Sequence, residues 1–140
     1  NLDTKARPFD VANAESVKVS ASRLEELYKK AQKEYSLSKR NLSRIRQLDK
    51  YLIDHFHITF GNRIMKQIKS YVPVMVACGG TELDAIDDIL SKKVLRKLEA
   101  KNPVYVKNAS NGLIAFIDDL FGMDKMPLCK EYIINFEQNA

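Results

Sequence analysis

The chain has 140 residues, with 23 Lys and Arg against 18 Asp and Glu for a formal net charge of +5, and 45% of its positions are hydrophobic. That length fits one domain with a core of its own, and that apolar fraction excludes global disorder. No apolar run approaches the roughly 18–20 residues of a membrane span, and five Gly and four Pro exclude collagenous or low-complexity character.

Residues 1–19 carry Pro8, several small residues and the alternating Ser16-Val17-Lys18-Val19, which predicts an extended lead-in with one short strand. Ser22-Arg23-Leu24-Glu25 matches a capping box, in which each polar side chain satisfies a free backbone donor. Leu24, Leu27, Tyr28, Ala31 and Tyr35 form one helical face behind it. A second helix is predicted from Ser36 or Ser38 to about His55, with Leu42, Ile45, Leu48, Leu52 and Phe56 as its stripe. A third begins near Gly61-Asn62 with Phe60, Ile64, Met65, Ile68 and Val72 inward. Pro73 should end or kink it, because proline lacks the amide donor and crowds the preceding turn.

Gly79-Gly80 break the chain before Thr81, which can cap a fourth helix over 82–99 with Leu83, Ile86, Leu90, Val94 and Leu98 inward. Acidic residues crowd its start and basic ones its end, an order that complements the helix dipole. Asn102-Pro103 mark a loop, and Val104-Tyr105-Val106 read as one short strand. Ser110 or Asn111 should start a fifth helix through Leu120, closed by Gly122 as a left-handed cap. Pro127 fits the first turn of a last helix carrying Leu128, Tyr132, Ile133 and Phe136. Together these predict an all-α domain over 20–140: a compact bundle of about six helices with an extended N-terminal lead-in and at most one or two short strands.

As a self-contained enzyme the chain looks empty, and no catalytic or metal-binding residue is assigned. Neither a G-x-x-x-x-G-K-[ST] nor a G-x-G-x-x-G loop is present to cradle a phosphate. His55 and His57 are two apart, which on a helix points them to different faces. Asp54-His55 lacks a nucleophile partner, and the adjacent carboxylates Asp87-Asp88 and Asp118-Asp119 do not converge on a helix. Cys78 and Cys129 have no CxxC spacing; they fit a reducing cytoplasm, and Cys78 reads as a small buried residue. No secretion signal opens the chain, and a first residue of Asn rather than Met leads us to expect a longer protein.

The basic balance is uneven. Residues 20–50 hold nine Lys and Arg against four Asp and Glu, and Arg63, Lys66 and Lys69 extend the excess. Lys39, Arg40, Arg44 and Arg46, with Lys66 and Lys69, are either solvated helix faces or a surface for weak, sequence-independent contact with nucleic-acid phosphates. Arg63 stands apart, in the first turn of the third helix, where the dipole disfavours a cation by a few tenths of a kcal/mol. It either snorkels into water or pairs with a carboxylate, or it reaches toward a bound anion.

Phe60-Gly61-Asn62-Arg63, followed by the run from Leu83 to Glu99, resembles the C-terminal helical lid of AAA+ ATPases in the McrB-like, dynein-related branch. That family shows an arginine opening a lid helix, then an aspartate, then a lysine–aliphatic–leucine–x–lysine–leucine run. Here those positions are Arg63, Asp87 and Lys93-Val94-Leu95-Arg96-Lys97-Leu98. Met126-Pro127-Leu128-Cys129-Lys130 is similar to the closing segment of such lids, and residues 9–19 resemble the "D-R-A-N" box at the core–lid junction. Val11 replaces that box's arginine, and Glu99-Ala100 replaces the glycine after the lysine–leucine run.

The resemblance implies that residues 1–19 join an upstream ATPase core and that 20–140 is one lid-like domain. ATP and Mg would be bound only with that core, Arg63 would sense the ATP phosphates, and the whole protein would form a homo-oligomeric ring in the cytoplasm. McrB-like relatives include DNA restriction systems. The alternative is a free-standing basic helical module that binds nucleic acid or a partner protein.

Overall fold

The computed structural model describes residues 21–30 and 36–139. The lead-in, its short strand and the junction box lie outside the described residues, as do Ala31 and Tyr35. All the regular structure described is helical: α1 (21–30), α2 (Lys39–Phe56), α3 (Gly61–Ala77), α4 (Glu82–Ile89), α5 (Pro103–Phe121) and α6 (Pro127–Asn139). The domain is therefore all-α, with no strand among the described residues.

Short polar side chains set the helix starts. Ser38 caps α2 by accepting from the Asn41 amide at 3.2 Å, and Thr81 caps α4 by accepting from that of Asp84 at 3.0 Å. Asn102 accepts from the amides of Val104 (2.9 Å) and Tyr105 (3.2 Å), with Pro103 in the first position of α5. That cap and proline turn the expected strand over 104–106 into the opening of a helix that starts well before Ser110. Gly122 ends α5 with φ 110° and ψ 149°. The positive φ was expected, but this ψ lies outside the left-handed helical region and in one that is almost exclusive to glycine.

The α2 stripe of Ile45, Leu48, Leu52 and Phe56 is buried and packs on α5. Helix α3 packs on α4, and α6 lies against both α5 and α4. One core joins these helices through Ile68, Val72, Ile86, Leu90, Leu113 and Ile117. Met126, Cys129 and Ile133 complete it from the C-terminal side.

Three expectations are corrected. Of the two outcomes expected of Pro73, an end to the helix does not occur: α3 runs on to Ala77 with Pro73 buried inside it. The fourth helix is not one α-helix over 82–99. It passes into a π turn at Leu90–Val94 and a 3-10 segment at Leu95–Ala100. Apolar positions four apart (Ile86, Leu90, Val94, Leu98) drift by about 40° per step around an ideal α-helix. The wider π turn absorbs that drift, and the tight 3-10 turn seats both Leu95 and Leu98 inward. Finally, α1 does not bury its stripe: Leu24, Leu27 and Tyr28 are 65%, 49% and 41% exposed. Helix α1 is also already running at residue 21, so Ser22 lies inside it rather than capping it.

Candidate functional site: a basic cleft and an exposed arginine

Arg63 sits in the first turn of α3, exposed, and makes no hydrogen bond or ion pair among the described residues. No side chain caps this helix end, its first turn holds no acidic residue, and Gly61 enters it with φ +71°. The segment that leads into Arg63 is held firmly. Asp49 accepts from the Phe60 amide at 2.9 Å, Lys97 donates to the Thr59 carbonyl at 2.9 Å, and Lys101 donates to that of His57 at 3.3 Å. A lysine of the basic run thus fixes the chain just before the arginine.

Asp87 also has a structural task. Its buried carboxylate accepts from the amides of Leu128 and Cys129, both at 2.8 Å, and so caps α6 from another helix. Cys129 is buried beneath it, and burial followed by the Asp87 charge pushes its thiol well above the ordinary range. Cys78, expected to be buried, is exposed beside the bend at Gly79.

The basic candidates are not gathered into one patch. Arg40 and Arg44 lie a turn apart on one flank of α2, whereas helical spacing puts Lys39 and Arg46 on the other. Arg44 is half-buried and donates to Asn41, which donates in turn to Glu82 at 2.8 Å. It belongs to the clamp between the starts of α2 and α4 rather than to an open surface. Lys69 is exposed on α3. Of these, Lys66 lines a cleft of about 440 Å³ between α3 and the end of α4, with Tyr28 of α1 at its wall.

Lys92 and Lys93, on the π turn, line the same cleft; the sequence marked Lys93 only as the first residue of the lysine–leucine run, and neither as a site residue. Their signal was hidden because both read as ordinary basic residues near a helix end. Asp88 ties the walls together: it accepts from the Tyr71 hydroxyl at 2.8 Å and pairs with Lys92 at 2.7 Å. The Lys92 hydrogen bond is the main force that holds the Asp88 carboxyl below its ordinary range. The hydrogen bond to Asp88 chiefly raises Tyr71. Lys66 and Lys93 have no such partner among the described residues.

His55 stacks on Tyr51, centroids 4.1 Å apart, and His57 closes α2 in the left-handed region. No group of three or more His, Cys, Asp or Glu side chains among the described residues is placed to hold a metal ion. No helix among them is long and apolar enough to cross a membrane.

These features define an all-α bundle domain with a basic cleft and an exposed arginine at an open helix start. Residues 12–140 match the family described as Domain of unknown function (DUF8727), and the chain belongs to that family. No curated protein and no solved structure matches it.

Proposed function

We propose that this domain is the helical lid of an AAA+ ATPase, in which Arg63 senses the nucleotide phosphates and couples them to the lid. The observation that carries this reading is the state of Arg63: exposed, without a partner among the described residues, in an uncapped first turn. A cation there is disfavoured by the helix dipole until an anion arrives, and an arginine is well suited to stabilise charge on a phosphoryl group. The clamp of Asp49, Lys97 and Lys101 on the preceding segment supports it further, because it ties the arginine to the body of the domain. A pull on Arg63 would thus be passed to the 3-10 segment and the helices packed on it.

By itself the domain hydrolyses nothing in this reading. An upstream core supplies the site for ATP and its magnesium, and the assembled protein works as a homo-oligomeric ring in the cytoplasm. The test is ATP turnover by the full-length protein. Arg63→Ala is expected to lower turnover about a hundredfold or more without changing thermal stability, and Arg63→Lys to restore it only in part. Unchanged turnover in Arg63→Ala would sink the proposal.

A further inference from the structure

We propose that the cleft between α3 and the π turn binds a phosphate monoester, its phosphoryl group held between Lys66 and Lys93. The cleft is lined by three ammonium groups and one carboxylate. That carboxylate is already committed, since Asp88 accepts from Tyr71 and pairs with Lys92. Lys66 and Lys93 therefore bring to an open cleft two positive charges that form no ion pair among the described residues.

Two uncompensated cations favour a dianion over a lone carboxylate, which would neutralise only one of them. The Ser70 hydroxyl is a further donor in the same wall. Tyr28 and Ile89 add apolar surface suited to the organic part of the ester. A volume of about 440 Å³ lies in the range of small-ligand sites. An extended polyanion needs a continuous stripe instead, and the free cations of α2 are divided between two flanks. The π turn is what sets Lys92 and Lys93 in this wall, and such turns are frequent at functional sites.

The inference does not rest on Arg63 or on an upstream core, so its failure would leave the lid reading standing, and the reverse also holds. The test is a titration of the 140-residue chain with phenyl phosphate, followed by amide chemical shifts at constant ionic strength. Inorganic phosphate and dimethyl phosphate are run in parallel. Saturable binding of phenyl phosphate is expected, weakened roughly tenfold by Lys66→Ala and again by Lys93→Ala.

Lys50→Ala, on α2 and paired with Asp54, should leave binding unchanged. Affinity should rise through about pH 6 as the ester gains its second charge. Inorganic phosphate binding equally well would assign recognition to the phosphoryl group alone; tighter binding of phenyl phosphate would add the apolar wall. Equal binding of the singly charged diester, or a Lys66→Ala/Lys93→Ala double variant that binds undiminished, would overturn the proposal. Both lysines are exposed on helix surfaces, so the folded state of each variant can be verified by circular dichroism.

Discussion

The two cysteines of this domain differ in their access to solvent, and Cys129 is in addition held protonated by its burial. Attack on a disulfide reagent requires the thiolate, so a thiol reacts in proportion to its ionised fraction and its access to solvent. Cys129 is denied both: it is fully buried, its Sγ–H points to the Asp87 carbonyl at 3.6 Å, and burial above all keeps it protonated. Cys78 is exposed. An aromatic disulfide reagent at neutral pH is therefore expected to modify one thiol rapidly in the native protein and the second only after denaturation. Cys78→Ser should abolish the rapid phase. Two rapid thiols would show that α6 does not stay seated over Asp87.

Helix α6 depends on a cap that its own sequence does not provide. Pro127 lacks an amide donor, and the next two amides both donate to Asp87, forty-odd residues earlier in the chain. Asp87→Ala would leave the buried Cys129 amide and the partly buried Leu128 amide unmet, at an expected cost of about 2–3 kcal/mol. For a domain of this size that is a fall of roughly 8 °C in the melting midpoint. A midpoint within one degree of the parent would mean that solvent replaces the cap. This contact also shows what a sequence can disclose at the scale of an element. The caps at Ser38 and Thr81 were legible because a local cap needs only neighbouring residues. The stripes of α2 and α3 were legible because one face is buried along each helix. Asp87 was readable as an acidic residue near a helix start and as the aspartate of the lid-like pattern, but not as a cap, since its partners are set by the packing of α4 on α6. The π and 3-10 turns after Ile89 arise from competition between apolar spacing and helical pitch, which tertiary contacts decide. In α1 the pattern was amphipathic, yet pattern alone does not supply a surface to cover it. Of the candidate site, Arg63 and Lys66 could be named in advance. Lys92 and Lys93 could not, because their place in the cleft depends on that altered pitch.

At the scale of the whole molecule, the titrating groups set both limits of the stable pH range. On the acid side, Asp88 titrates below its ordinary value of 3.8, chiefly because Lys92 bonds to it. The unfolded chain then binds the proton more readily, so Asp88 contributes stability above that value and loses it as pH falls through the folded one. The loss compounds, since a chain already at +5 becomes more positive as its carboxylates protonate, and self-repulsion grows. On the alkaline side the order follows the ordinary values. Cys129, at 9.0 when unfolded, titrates far higher in the folded state because of burial. Tyr71 and Tyr132 are raised from 10.0, the first by its bond to Asp88 and the second by burial and then by Glu99. Here the folded state holds the protons more tightly, so stability is complete below the unfolded values and falls as pH rises past them. The melting midpoint is therefore expected to be level between about pH 5 and pH 8 and to fall on both sides. Asp88→Asn should flatten the acid limb, and Cys129→Ala should delay the onset of the alkaline one. Scanning calorimetry across pH 2–11 reads both, and a midpoint still rising above pH 9, or an acid limb unchanged in Asp88→Asn, would contradict the assignment of these groups.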